Sequence, residues 1–234
     1  MNDTRIPKII HYIWLGTRPL DKVSQKCMNT WGKYLPDYEV KRWGDDECRD
    51  IINSNLYARQ AYEAKKYAFV SDYLRVYILY NYGGVYMDTD VQMFKSIDRF
   101  LIHGAFTCFE NKTQIPTALM ASAKGNQWMK ALLDYYDDKS FIDADGHMDI
   151  TTNVDAITNV SLGMGFVPNA QIQVFSDDVH IYTKDYFCPI DTKNKANDIF
   201  TENTYAAHLY NGSWRSPLRQ KLSKIKKKFG INVN

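Results

Sequence analysis

The sequence predicts one α/β domain, and three observations carry that expectation. Lys8 to Gly16 (KIIHYIWLG) is an apolar run closed by glycine, the pattern of a buried first strand. Ala68 to Val91 (AFVSDYLRVYILYNYGGVYMDTDV) reads as a helix, a Gly-Gly stop, a short strand and two aspartates one residue apart. The chain has 234 residues, 45% hydrophobic and 24% charged, enough to close a core without disulfide staples.

Taken in order, the first strand is followed by a loop carrying Pro19 and a helix over 21–33. A second strand follows the Pro36-Asp37 turn, from Tyr38 to Trp43. Asp45-Asp46-Glu47 is an acidic helix start, favourable toward the helix dipole and structural in purpose. Helices are expected over about 55–64 and 66–82, the second ending at Gly83-Gly84. Val85 to Met87 is a strand, and Val91 to Phe94 continues extended. Strands follow at Ala105 to Glu110 and Thr117 to Ala121. Asn126 to Tyr136 is a helix with Trp128, Ala131, Leu132 and Tyr135 on its apolar face. Residues 137–149 read as an acidic surface loop, and Thr151 to Val160 as a further helix. Short strands are expected at Ile172 to Phe175, Val179 to Tyr182 and Tyr205 to Tyr210.

The chemistry concentrates in the central stretch. Between Tyr67 and Met87 the only charged side chains are Asp72 and Arg75, three apart and so on one helix face. Alone they could be an ordinary helical ion pair. Embedded in an apolar helix that leads into Asp88-Thr89-Asp90, they read as functional, because buried charge is costly unless paired or used. The two aspartates at a strand end could hold a cation that bridges to an anionic substrate. Trp14 sits at the end of the first strand, either in the core or where ligands gather in such sheets. His11 reads as a satisfied core histidine. There is no GxGxxG and no GxxxxGK[ST] string, so neither a dinucleotide fold nor a P-loop is supported.

Cys27, Cys48, Cys108 and Cys188 are widely spaced with no CxxC pair, which fits a reducing compartment and no zinc site. No apolar run reaches the roughly 18 residues of a membrane span, and the N-terminus lacks a signal-peptide pattern. A cytoplasmic protein is the expectation. Net charge is +2 but uneven: after Glu202 there are seven basic residues and no acidic ones. Leu218, Leu222, Ile225 and Phe229 recur at helical spacing among those lysines, giving a basic amphipathic helix. It either packs on the domain or meets an anionic membrane surface. The acidic remainder of the chain opposes nucleic-acid binding.

IPKIIHYIWLG at the start, SDYLRVYILYNYGGVYMDTDV in the centre and HLYNGSW near the end resemble the DXD-type sugar transferases. These include bacterial capsular and oligosaccharide glycosyltransferases, the Och1-like mannosyltransferases and, more distantly, the clostridial glucosylating toxins. The resemblance runs through nearly the whole chain and is weakest between about 111 and 200. It implies a GT-A fold, a single Rossmann-like domain around a mixed sheet, over residues 1–214, with 215–234 as a basic tail. It also implies roles. Trp14 would stack on the nucleotide base, and Asp72 and Arg75 would contact the donor sugar, ribose or phosphates. Asp88 would hold the ribose and help place a metal, Asp90 would bind it, and His208 would complete the metal site. Ser213 and Trp214 would close over the diphosphate. Relatives often carry Gly-Pro where this chain has Thr151-Thr152-Asn153, a departure on the acceptor side.

The implied reaction is metal-dependent hexosyl transfer with retention, from a nucleotide-sugar to a glycan acceptor. Oxygen ligands suit Mn2+ or Mg2+, and a histidine tilts the choice toward manganese. A UDP-sugar is favoured through Trp14; GDP-mannose is the alternative through the mannosyltransferase relatives. Glu110, at a strand end, is either a sugar contact or a surface residue. With its basic tail the enzyme would sit on the inner face of the cell membrane, extending a lipid-linked oligosaccharide for capsule or surface polysaccharide. A non-catalytic sugar-nucleotide or glycan binder is the competing class, and the intact acidic residues argue against it.

Overall fold

The structure, a computed structural model, describes residues 4–212. Its elements are β1 (Ile9–Ile13), α1 (Lys22–Tyr34), β2 (Glu39–Trp43), α2 (Asp45–Ser54), α3 (Leu56–Glu63), α4 (Tyr67–Tyr82), β3 (Gly84–Met87) and β4 (Val91–Met93). Then come β5 (Ala105–Cys108), β6 (Leu119–Ser122), α5 (Gln127–Asp134), α6 (Asn153–Gly163), β7 (Gln173–Phe175), β8 (Val179–Tyr182), α7 (Lys184–Phe187) and β9 (Ala206–His208). Seven strands form one mixed sheet in the order β2-β1-β3-β6-β5-β8-β7. The β1/β2, β1/β3 and β5/β8 pairs are parallel and the β3/β6, β5/β6 and β7/β8 pairs antiparallel. A separate antiparallel ribbon pairs β4 with β9, aligning Val91 with His208. The expected mixed α/β sheet flanked by helices is what the chain forms.

Helices cover both faces. One core cluster gathers α2 to α6 against Ile13, Tyr86 and Met120; the other gathers α1, α7 and the β4–β9 ribbon against Ile10, Val85 and Phe106. Successive residues of β3 therefore feed opposite cores, as a strand buried on both faces requires. The central helix α4 buries Val70, Tyr73, Leu74, Val76, Ile78 and Leu79, which explains why it is apolar nearly all round. On α5 the buried residues are Trp128, Met129 and Leu132, with Tyr136 just beyond; Ala131 and Tyr135 lie only partly buried. The expected face is thus rotated, because the helix ends two residues early and Met129 takes the core position. The acidic stretch 137–149 is a loop, as expected, although Phe141 within it is fully buried. All four cysteines are buried thiols.

The α4–β3 junction has no loop. Gly83 caps the helix at φ +68° and Gly84 opens the strand at φ +100°. A Cβ on Gly84 would lie 2.7 Å from the Ile9 carbonyl oxygen and 2.9 Å from the His11 ring. Only glycine fits, both by conformation and by space. His11 is fully buried beside this turn, as expected of a core histidine. Indole nitrogen can only donate, so the Trp43 Nε1–H bond at 3.0 Å makes His11 Nδ1 the acceptor. Nε2 then carries the proton and donates to the Gly83 carbonyl at 2.8 Å. Burial pushes the pKa of His11 from 6.5 down to about 4.

Candidate active site

The sheet delivers its chemistry to one end. A cavity of about 430 Å³ is lined by Trp14 beyond β1, Asp72 and Arg75 on α4, Asp88 and Asp90 beyond β3, and His208 at the end of β9. Six of the residues singled out in the sequence thus come together from four separate elements.

Arg75 organises the floor. Its side chain is almost fully buried, and Nη2 donates to Asp72 Oδ1 at 2.9 Å. Nη1 donates to the Thr117 carbonyl at 2.8 Å and lies 3.6 Å from Asp88 Oδ1. Nε donates to the Ser71 carbonyl at 3.1 Å, and the guanidinium lies 4.7 Å from the centre of the Tyr86 ring. One cation therefore orients carboxylates on two different elements. Asp72 also accepts from Asn153 Nδ2 at 3.1 Å. Burial raises the Asp72 pKa to about 6, even though Arg75 opposes that shift.

The end of β3 sets the next layer. Tyr86 is in the strand, and Asp88 and Asp90 lie in the turn that follows, closed by Val91 N–H donating to the Asp88 carbonyl at 3.0 Å. Tyr86 hydroxyl donates to Asp88 Oδ1 at 2.7 Å, while the hydroxyl of buried Thr89 meets that of Ser24 of α1 at 3.1 Å. Asp90 is buried, with Oδ1 3.3 Å from His208 Nε2 and Oδ2 accepting the Asn211 amide at 2.7 Å. Burial would raise its pKa, but the His208 and Asn211 contacts outweigh it and hold the group below the ordinary carboxylate value. For His208, burial works downward, yet the bond to Asp90 wins and raises it.

Asp88, Asp90 and His208 each offer a ligand atom, and these atoms lie within 4.8 Å of one another. Two carboxylates and an imidazole are a donor set for a divalent ion such as manganese or magnesium. The residues present therefore fit the cation implied by the sequence resemblance.

Trp14 is anchored by its Nε1–H bond to the Arg18 carbonyl at 2.6 Å, which fixes the ring at the cavity wall. Glu110 is not among the cavity-lining residues and is not a surface group either. It is mostly enclosed, and its Oε1 accepts from Tyr210 hydroxyl at 3.2 Å. Ser213, Trp214 and the basic tail lie outside the described residues. Sequence reasoning did not single out Tyr86, Asn153, Tyr210 or Asn211 for these roles. Tyr86 was findable, since it stands only two residues before Asp88. Asn153 was not, because α6 meets Asp72 across 81 positions of sequence.

Residues 21–107 match the family described as "Glycosyltransferase sugar-binding region containing DXD motif". Over this region, somewhat more than a third of its length, the chain is similar to the DXD-motif glycosyltransferases. It is 30% identical over 129 residues to inositol phosphoceramide mannosyltransferase 3 of Schizosaccharomyces pombe, covering 53% of this chain and 35% of that one. It is 25% identical over 225 residues to an uncharacterised glycosyltransferase of Acanthamoeba polyphaga mimivirus, covering 94% and 87% of the two chains. The chain spans about a third of the length of the yeast inositol phosphoceramide mannosyltransferases it matches. Among solved structures, the PaToxG glycosyltransferase superposes with a TM-score of 0.53 at 20% identity, over 68% of this chain and 69% of that one. That likeness concerns the fold, and it agrees with the expected GT-A architecture.

Proposed function

We propose that this chain is a metal-dependent glycosyltransferase that moves a hexose from a nucleotide diphosphate sugar to a hydroxyl of a glycan acceptor. The observation that carries this reading is the convergence of Asp88, Asp90 and His208 in the cavity that Trp14 walls. A divalent cation held by these three side chains would supply Lewis-acid stabilisation of the departing diphosphate.

The chain's own residues supply the rest. Trp14 offers a fixed ring face for the base. Asp72, oriented by Arg75 and Asn153, is set to hold donor hydroxyls. Arg75 spends its hydrogen bonds on the protein, so its part is to hold Asp72 and Asp88 at their separation. Because Asp72 is tied in this way, it is poorly suited to attack an anomeric carbon. The acceptor hydroxyl attacking on the donor's diphosphate face, with retention, fits better. Ser213 and Trp214 follow directly on the segment that crosses the site and are assigned to covering the diphosphate.

A UDP-sugar is the favoured donor on the strength of Trp14. GDP-mannose is the second reading, favoured by relatives named as mannosyltransferases. The acceptor is proposed to be lipid-linked, in line with relatives named for inositol phosphoceramide and with the basic amphipathic tail. That tail would hold the enzyme on the inner face of the cell membrane, in capsule or surface polysaccharide synthesis. Among the described residues no helix is long and apolar enough to cross a membrane.

The test is a thermal-shift panel of UDP, GDP, CMP and dTDP, each with and without Mn2+. A rise for UDP that requires Mn2+ supports the reading. A rise for GDP moves the donor to GDP-mannose, and no rise with any nucleotide counts against a donor site here.

A further inference from the structure

The segment after β9 crosses the candidate site in an unusual conformation. Tyr210 has φ +51°, a left-handed backbone that a tyrosine seldom adopts. Such a residue persists only where its surroundings enforce it, and these residues gather at functional sites. The consequence of this turn is specific. The amides on either side of Tyr210 both reach Asp90: Leu209 N–H donates to its backbone carbonyl at 3.0 Å and Asn211 N–H to Oδ2 at 2.7 Å. The Tyr210 ring meanwhile lies against the His208 imidazole, centroids 4.0 Å apart and planes at 35°.

Tyr210 lines the cavity, and the two groups that hold its hydroxyl are not among the lining residues. Its hydroxyl donates to Glu110 Oε1 at 3.2 Å and sits 3.0 Å from the buried Cys188 Sγ. The other oxygen of Glu110, Oε2, is buried without a hydrogen-bond partner among the described residues. Enclosing a carboxyl for a single bond is costly, and here that bond goes to the residue that braces Asp90 and His208.

We propose that Tyr210, clamped through its hydroxyl by Glu110 and Cys188, is a positioning residue that keeps Asp90 and His208 in their facing arrangement. The inference rests on the reading of that pair as cation ligands, and it adds how the pair is set before any ligand arrives.

The experiment uses the full chain with Tyr210→Phe, which keeps the ring and removes the hydroxyl, and Glu110→Gln alongside. Two readouts are taken: the His208 imidazole 13C–1H NMR signal in cation-free protein at one fixed, mildly alkaline pH, assigned with His208→Gln, and a Mn2+ titration. The His208 signal is expected to move in both variants, with Mn2+ affinity about tenfold weaker, the usual scale for losing support behind a metal ligand. An unmoved His208 signal in Tyr210→Phe, with parental Mn2+ affinity, overturns the proposal. If the parent takes up no Mn2+, the metal reading fails by itself. The His208 signal then still decides the positioning role: displacement upholds it and constancy removes it.

Discussion

Arg75 and Asp72 are paired at 2.9 Å with both side chains nearly withdrawn from water, one helical turn deep in α4. Breaking a buried pair by removing one partner is far costlier than the pair is worth, because it strands the other charge. Arg75→Met should therefore destabilise the fold by about 3–5 kcal/mol. Arg75→Lys should recover only part of this loss, since an ammonium cannot bond Asp72, Thr117 and Ser71 together in the fixed geometry of a guanidinium. Urea unfolding of both variants checks this; two parental midpoints would show that the pair is ordinary.

Asp90→Asn should cut sugar transfer by more than about a hundredfold while the chain still folds, with some loss of melting temperature as the buried contact to His208 loses its charge. EDTA should abolish transfer in the parent and added Mn2+ restore it. Persistent transfer by the Asn variant would remove Asp90 from the metal site.

Trp14→Ala should raise the donor KM by about ten- to hundredfold, the range expected from losing one base stack, and Trp14→Phe by less. Equal KM values in all three proteins would leave Trp14 as a wall and nothing more.

His11 predicts acid sensitivity. Its pKa falls from 6.5 to about 4 on folding, so the fold resists the proton that the unfolded chain accepts. The stability tied to neutral His11 is intact above pH 6.5 and is lost as pH falls toward 4. At pH 5 the loss amounts to about 2 kcal/mol. His103, also held near 4 by burial and then by its neighbour His180, acts in the same direction. Unfolding free energies at pH 7 and pH 5 measure the effect. If His11→Gln shows the same pH dependence as the parent, His11 is not its source.

Liposomes rich in anionic lipid should retain the full chain better than a chain ending at Ser216, with high salt weakening retention. Equal recovery of the two would end the membrane reading of the tail.

Much of the fold was legible because its signals are local. The glycine pair, the apolar helix and the buried first strand each announce themselves within a few residues. Asp72, Arg75, Asp88 and Asp90 could be found because they are charges inside an apolar stretch. His208 was found only through resemblance, since nothing near it in sequence marks its partner Asp90. Asn153 and the Glu110–Tyr210 bond stayed hidden for a related reason. Each depends on pairing across about 80 to 100 positions, which no periodicity records. The α5 face was misjudged by a fraction of a turn, because helix ends are set by what packs beyond them.

The loopless junction at Gly83 and Gly84 makes strand β3 a ruler. One end is pinned by a glycine with no room for a side chain, the other by the antiparallel register with β6, where Gly84 faces Ser122 and Met87 faces Leu119. Adding or deleting a single residue between them would invert the alternation along β3 and turn Tyr86, whose hydroxyl bonds Asp88, away from the cavity. The site thus has a spacing as well as a composition. Side chains along β3 can be exchanged for others of similar size, but the number of residues from Gly84 to Asp88 cannot change.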